Sequence, residues 1–361
     1  MKPIGVGIVG CGNISGIYLE NLANLFHNVT VLAVCDLEEQ KAHQAAEKYG
    51  IPTVCTFDEM LGMEEISIVL NLTTPAGHYE ICKKTLMAGK HAYVEKPLSL
   101  SVAQGKELVA LAGERGLLLG CAPDTFMGAG IQTAIQAIDN GIIGRVIGAT
   151  AFMMCHGHES WHPAPEFYYQ KGGGPMFDMG PYYLTALVSM IGAVGSVSGM
   201  TARAFETRTI TSQPKFGTTI PVEVPTHVSG MLRFQNGAVA SIITSFDVWG
   251  STLPRIEVYG TRGSMVGPDH NTFGGEVFIK QAFDTEFQKM PLLTCYAENS
   301  RGFGVSDMAD CLLHHRKTPR ASGRMALHVL EIMDALHVSS DEERVIHLST
   351  CCERPAPLPF I

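Results

Sequence analysis

The stretch IGVGIVGCGNISG, Ile4 to Gly16, most narrows the folds open to this chain. Its first half is a short apolar run of the kind that forms a fully buried strand. Gly10 and Gly12 follow at once, and Ile14, Tyr18, Leu22 and Leu25 then recur on one helical face. Strand, glycine turn and helix in direct succession open a βαβ unit. The same alternation continues. VTVLAVC (Val29–Cys35) reads as a strand, Leu37 to Lys48 as a charged helix, and Pro52 to Cys55 as a short strand. ISIVLNL (Ile66–Leu72), HAYVE (His91–Glu95) and GLLLGCA (Gly116–Ala122) read as further strands, with helices at His78–Ala88 and Val102–Arg115. Parallel strands joined this way need helices on both faces. The expectation is an α/β doubly wound parallel sheet, the Rossmann class, over residues 1–122.

Beyond Ala122 the pattern changes. A helix near Ile131–Asp139 ends at Asn140-Gly141, and longer strand-like runs then dominate: VIGATAFMM, THVSGMLRF and AVASIITSF. QNG joins the last two and TRG joins RIEVYG to SMVG, both hairpin turn signals. Residues 123–361 are expected to form an α+β domain with a mostly antiparallel sheet. The polar stretch near Thr209–Pro225 reads as a long loop. Two closing helices are expected, one around Val305–Leu313 and one around Ser322–Val338, packing back on the first domain.

A chain of 361 residues can bury two cores. With 46% hydrophobic and 17% charged residues it is not a disordered composition. A net charge of −9 without any Lys/Arg block argues against nucleic acid or anionic membrane as partner. No segment approaches the roughly 18 apolar residues of a membrane span, and MKPIGVGIVGCG is a poor signal-peptide core. The expected location is cytoplasmic. Ten cysteines without a C-x-x-C pair fit reduced, buried thiols.

The glycine turn carries the first chemical expectation. Gly10 can make the tight turn, and Gly12 lets backbone approach a pyrophosphate at a helix N-terminus, with Asn13 and Ile14 in the same turn. The third position of G-x-G-x-x-G is Ser15, still small enough for close helix–sheet packing. Asp36 ends the second strand, where a carboxylate accepts ribose hydroxyls. Together with Glu38 and Glu39 it would repel a 2′-phosphate, which favours NAD over NADP. The alternative is a glycine turn with no ligand.

Two further motifs, NLTTPAGHYEICKKTLMAGKHAYVEKPLS (Asn71–Ser99) and GGGPMFDMGPYYL (Gly172–Leu184), resemble those of the glucose–fructose oxidoreductase / inositol dehydrogenase / MocA family. The resemblance runs over about residues 4–340. It implies a Rossmann-like first domain, a second domain whose large open sheet mediates homo-oligomerisation, and a cis peptide at Lys96-Pro97. It places Thr73, Thr74, Pro75, His78, Glu95 and Lys96 with the cofactor. Relatives commonly carry an Asn or Gln and an Arg after the sixth strand. Here the segment is CAPDTF, so Asp124 is the residue expected to accept hydrogen bonds from a neutral polyol.

The resemblance also suggests why an aspartate and a tyrosine follow three glycines. Hydride transfer from an alcohol needs a base for the hydroxyl proton and a cation for the developing alkoxide. Lys96, Asp178 and Tyr182 are the expected catalytic residues: Tyr182 as acid/base, Lys96 as activator, and Asp178 as orienter of substrate hydroxyls. In a helix Asp178 and Tyr182 share a face, while Gly172–Gly174 would let the helix end approach the cofactor. Tyrosine is an ordinary weak acid with a pKa near 10, so a neighbouring cation is needed. Two other readings stay open: Asp178 as a helix-dipole partner, and Tyr182 as core packing. Pro181 leaves the start of the helix open as well.

CHGHESWHPAPEFYYQ (Cys155–Gln170) is the expected carbohydrate pocket. Trp161 offers an apolar face and His156 and His158 hydrogen-bond hydroxyls. No metal is expected, although His156, His158, His162 and Glu159 lie close in sequence, and a purely structural loop is the alternative. Trp249 reads as a sheet or interface residue. The leading expectation is an NAD-dependent dehydrogenase of a sugar or glycoside, similar to a subgroup that oxidises the 3-hydroxyl of glucosides. An inositol or free-aldose dehydrogenase and a non-catalytic NAD-binding sensor are the alternatives.

Overall fold

The computed structural model describes residues 2–359. The chain divides into two compact units, and the division is not a single cut. One unit holds the described residues up to Gly128 together with Tyr296–Leu330, and the other holds Ala129–Cys295 with the described residues from Glu331 onward.

The first unit opens with β1 (Ile4–Val9), α1 (Ser15–Asn24), β2 (Val29–Cys35), α2 (Glu39–Tyr49), β3 (Thr53–Val54) and α3 (Phe57–Gly62). It continues through β4 (Ile66–Asn71), α4 (Pro75–Met87), β5 (His91–Val94), α5 (Val102–Glu114) and β6 (Leu119–Cys121). The six strands form a sheet in the order β3-β2-β1-β4-β5-β6, with every pairing parallel. This is the doubly wound Rossmann arrangement. The order reverses beside β1, and the crevice beyond the strands' carboxyl ends is where such sheets bind ligands. Apolar clusters explain its stability. Ala92 and Val94 pack with Cys82, Leu86, Leu108 and Ala112, while Val9, Ala33 and Val69 pack with Met60 and Ile66. Each fully buried leucine in such a cluster contributes on the order of 2 kcal/mol. α3 is an element the apolar pattern does not announce. Thr56 and Glu59 form a complete capping box at its start, which holds a helix of only six residues.

The second unit begins with α6 (Ala129–Asp139), β7 (Val146–Met154) and α7 (Pro175–Ile191). The strands β8 (Val194–Ala202), β9 (Thr207–Thr209), β10 (Thr219–Pro221), β11 (His227–Phe234) and β12 (Val239–Ser245) follow. Next come β13 (Ile256–Gly260), β14 (Gly263–Val266), β15 (Val277–Gln281) and β16 (Gln288–Met290). Last are α8 (Phe303–Leu313), which belongs to the first unit, α9 (Gly323–Glu342), whose residues divide between the units, and β17 (Ile346–His347). Nine strands form one sheet in the order β16-β15-β14-β13-β7-β12-β11-β8-β17. All its pairings are antiparallel except β7 with β12. α7 packs on this sheet, buried from Gly180 to Ile191. The polar stretch read as one long loop holds the short β9–β10 hairpin instead, whose three-residue strands are too brief for an alternating pattern to show.

Candidate active site

The glycine turn has the geometry a pyrophosphate requires. Gly10 has φ of +98°, a left-handed conformation, and a Cβ there would lie 2.8 Å from the backbone carbonyl carbon of Leu72. Gly12 faces open space within 4 Å of its missing Cβ. No side chain caps the start of α1 and no acidic residue lies in its first turn, so its amides remain directed at an incoming anion. Ser15 is buried and its hydroxyl donates to the Gly12 carbonyl at 2.7 Å. Asp36 is fixed by two backbone donors: Cys11 N–H at 2.7 Å to Oδ2 and Glu38 N–H at 2.8 Å to Oδ1. A carboxylate has further lone pairs for ribose hydroxyls. These residues fit a dinucleotide.

The loops after β4 and β5 are tied together from inside the first unit. His78 is buried, with Nδ1 2.6 Å from the Pro97 carbonyl and Nε2 3.0 Å from the Thr73 carbonyl. Burial pushes its pKa down, against the pull of both carbonyls. A neutral ring can donate to only one of them. His78 therefore supports the two loops from beneath rather than forming their exposed surface. Glu95 is similarly engaged, accepting from Tyr18 Oη at 2.7 Å and from the Lys96 amide at 2.9 Å. Thr73 is held by Asn71, and Pro75 starts α4 at the position where its missing amide costs nothing. The Lys96-Pro97 peptide is cis, as the resemblance implies.

Asp124 departs from expectation. Its side chain is buried, and its Oδ2 accepts the amides of Gly302 at 2.9 Å and Gly304 at 3.0 Å at the start of α8. Burial raises its pKa to about 6, against the lowering effect of these amides and Arg301. It caps the start of α8 inside the first unit and is not presented to a polyol. Nothing local in CAPDTF signals this, because the partners lie 178 and 180 residues on.

In the second unit α7 runs unbroken from Pro175 through Pro181, so Asp178 and Tyr182 lie one turn apart on one face. The glycines before it serve a tight local turn. A Cβ on Gly173 would lie 2.3 Å from the Phe167 carbonyl oxygen and 2.7 Å from that of Tyr168. His158 reaches Asp178 from the loop after β7, with Nε2 3.2 Å from Oδ2. Its ring is enclosed edge-on by Tyr168 at 4.3 Å, Phe246 at 4.7 Å and Trp161 at 5.2 Å between centroids. His156, two residues earlier, stacks face to face on Trp249 at 3.4 Å. Trp249 is thus part of the pocket loop's surroundings, and its ring is largely exposed.

A buried ion-pair network anchors this loop. Arg208 donates from Nε to Glu159 at 2.7 Å and from Nη2 to the carbonyls of His156 at 3.0 Å and Phe246 at 2.8 Å. Nη1 lies 3.4 Å from Asp247, and Tyr169 donates its hydroxyl to Glu159. Glu159 is therefore committed to Arg208 and Tyr169. His162 uses Nδ1 to accept the Ala164 amide at 3.0 Å. Among the described residues no group of three or more His, Cys, Asp or Glu side chains is placed to hold a metal ion. Arg208 lies in a Thr-rich stretch whose sequence gives no sign of the network.

Strand, glycine turn and anchored acidic residue on a doubly wound sheet are the parts of a dinucleotide-binding domain. The oxidoreductase-family model for an NAD-binding Rossmann fold matches residues 4–122, and the GFO/IDH/MocA C-terminal domain model matches residues 131–266. The chain belongs to the Gfo/Idh/MocA oxidoreductase family and is an NAD-dependent oxidoreductase. It is 27% identical to the D-glucoside 3-dehydrogenase of Escherichia coli strain K12, over 68% of this chain and 71% of that protein. It is 33% identical to the inositol 2-dehydrogenase/D-chiro-inositol 3-dehydrogenase of Lactiplantibacillus plantarum, over 39% of this chain and 41% of that protein. Among solved structures it is similar to levoglucosan dehydrogenase in complex with NADH and L-sorbose. That likeness has a TM-score of 0.82 at 20% identity and covers 97% of this chain and 100% of the other. Among the described residues no helix is long and apolar enough to cross a membrane.

Proposed function

We propose that this oxidoreductase oxidises a secondary hydroxyl of a sugar or glycoside, most specifically the 3-hydroxyl of a glucoside to a 3-oxo-glucoside. The observation that carries this reading is the start of α7, where Asp178 and Tyr182 share a face and Asp178 meets the histidine- and tryptophan-bearing loop. Bound NAD supplies the hydride acceptor. The protein's task is then the proton and the alignment of the substrate. Tyr182, as its phenolate, takes the hydroxyl proton as the carbonyl forms, and Lys96 supplies the positive charge that favours that phenolate and that a developing alkoxide needs. Asp178 accepts hydrogen bonds from substrate hydroxyls. Trp161, a residue 61% exposed, offers an apolar face to the sugar, with His156 and His158 as polar partners.

The D-glucoside 3-dehydrogenase relative supports the glucoside reading. The higher identity to an inositol dehydrogenase, over a shorter span, favours a second reading with a cyclic polyol as substrate. Incubation with NAD and a panel of glucose, O- and C-glucosides and inositols, read by mass spectrometry for products two hydrogens lighter, tests both. Oxidation of a glucoside alone supports the first reading, and oxidation of inositols or free aldoses alone supports the second. No oxidation despite bound NAD favours a sensor. Assembly into a homo-oligomer through the nine-stranded sheet is part of the proposal, supported by exposed Met200 on β8 and Met231 on β11. Native mass spectrometry tests it.

A further inference from the structure

We propose that His158 is the positioning residue for Asp178. Donating from Nε2, it fixes the rotation of the carboxylate and so the direction of the lone pairs that meet a substrate hydroxyl. The proposal rests on the sugar-oxidation reading and assigns a role which that reading leaves open.

Two observations carry it. First, the contact is direct, 3.2 Å from Nε2 to Oδ2, with both side chains mostly buried at 12% and 16% exposure. Second, the imidazole cannot swing away. Tyr168, Phe246 and Trp161 enclose it edge-on, and the loop is pinned on both sides of it. Arg208 binds the His156 carbonyl on one side and the Glu159 carboxylate on the other. The amides of Thr211 and Ser212 donate to the Glu159 carbonyl at 2.9 and 3.0 Å. A rigid donor on a carboxylate of the first turn is how an acceptor is held in one orientation.

The tautomer follows. A carboxylate is acceptor-only, so the neutral ring carries its proton on Nε2 and leaves Nδ1 bare.

Two substitutions separate donor from filler. His158→Phe occupies the aromatic enclosure without a donor, and His158→Gln keeps an N–H donor. The Phe variant should raise KM for the sugar on the order of ten- to a hundredfold while NADH affinity is unchanged. The Gln variant should recover most of that loss. Equal behaviour of the two variants would overturn the proposal. A substrate-free measurement keeps it testable if the sugar reading fails. Nitrogen-15 chemical shifts of His158 in the NADH-bound protein should show the proton on Nε2, and Asp178→Ala should release that tautomer preference. A proton on Nδ1, or no response to Asp178→Ala, sinks the proposal. Failure of the substrate panel with wild-type protein sinks only the sugar reading.

Discussion

Arg208 Nε lies 2.7 Å from Glu159 Oε1, with the two side chains only 4% and 10% exposed. The same guanidinium reaches Asp247 and two backbone carbonyls, so it satisfies two acidic groups and a loop at once. Removing one partner of a buried pair strands the other's charge. Arg208→Met should destabilise the second unit by about 3–5 kcal/mol, measured by urea unfolding. Arg208→Lys should recover little, because a single ammonium cannot reproduce the fork. A loss below about 1 kcal/mol in the Met variant would show that water solvates the carboxylates instead.

The raised pKa of Asp124 makes a signed prediction. Its folded value of about 6 lies above an ordinary unfolded value near 3.9, so between these the folded state binds more protons. Stability falls as pH rises from about 4 to about 6, by on the order of 2–3 kcal/mol from this group. Asp124→Asn keeps an acceptor for the Gly302 and Gly304 amides and removes the titration. It should flatten that part of the pH–stability curve and be no less stable than wild type at pH 7. Asp124→Ala should cost about 1–3 kcal/mol by orphaning the two amides. Thermal melts of the three proteins at several pH values decide it.

Chemistry and cofactor binding should separate at Lys96 and Tyr182. Lys96→Met should abolish turnover while NAD affinity stays within a few-fold. Tyr182→Phe should lower kcat on the order of 10²–10⁴-fold, the usual contribution of a positioned acid/base. Steady-state rates paired with NADH fluorescence titration measure both. Unchanged turnover in either variant removes that residue from the proposed reaction.

At Asp36 the opposite split is expected. Asp36→Ala removes the acceptor of the Cys11 and Glu38 amides as well as the proposed ribose partner. NAD affinity should fall on the order of tenfold or more, and discrimination against NADP should shrink. Calorimetric titration with both dinucleotides checks it. Undiminished NAD affinity would place the ribose elsewhere.

Much of the first unit is legible in the sequence because its strands are buried on both faces and read as plain apolar runs. β2 is found at the same limits as its run VTVLAVC. α3 escapes because six residues bury only Met60, and its evidence is a capping box rather than a periodicity. The spacing of Asp178 and Tyr182 is readable, and a helix that starts at Pro175 removes the ambiguity of Pro181. What local reading misses are contacts between distant residues. Arg208 meets Glu159 across 49 positions, and Asp124 reads as an acceptor for a polyol's hydroxyls although its partners lie far downstream.

Those downstream partners bear on the order in which the chain is made. The first unit's sheet is complete in sequence at β6, yet Asp124 waits for Gly302 and Gly304, and Asn28 for Ser306 and Asp310. The Cys121 amide likewise waits for the Ala321 carbonyl. A ribosome that has released the first 128 residues has therefore released a buried carboxylate without its donors and a strand edge without its cover. The intervening 167 residues, Ala129–Cys295, must emerge before the cofactor-binding unit can close. On this chain each unit waits for a segment made after part of the other, so a nascent chain cut short after β6 lacks the segment that finishes its own domain.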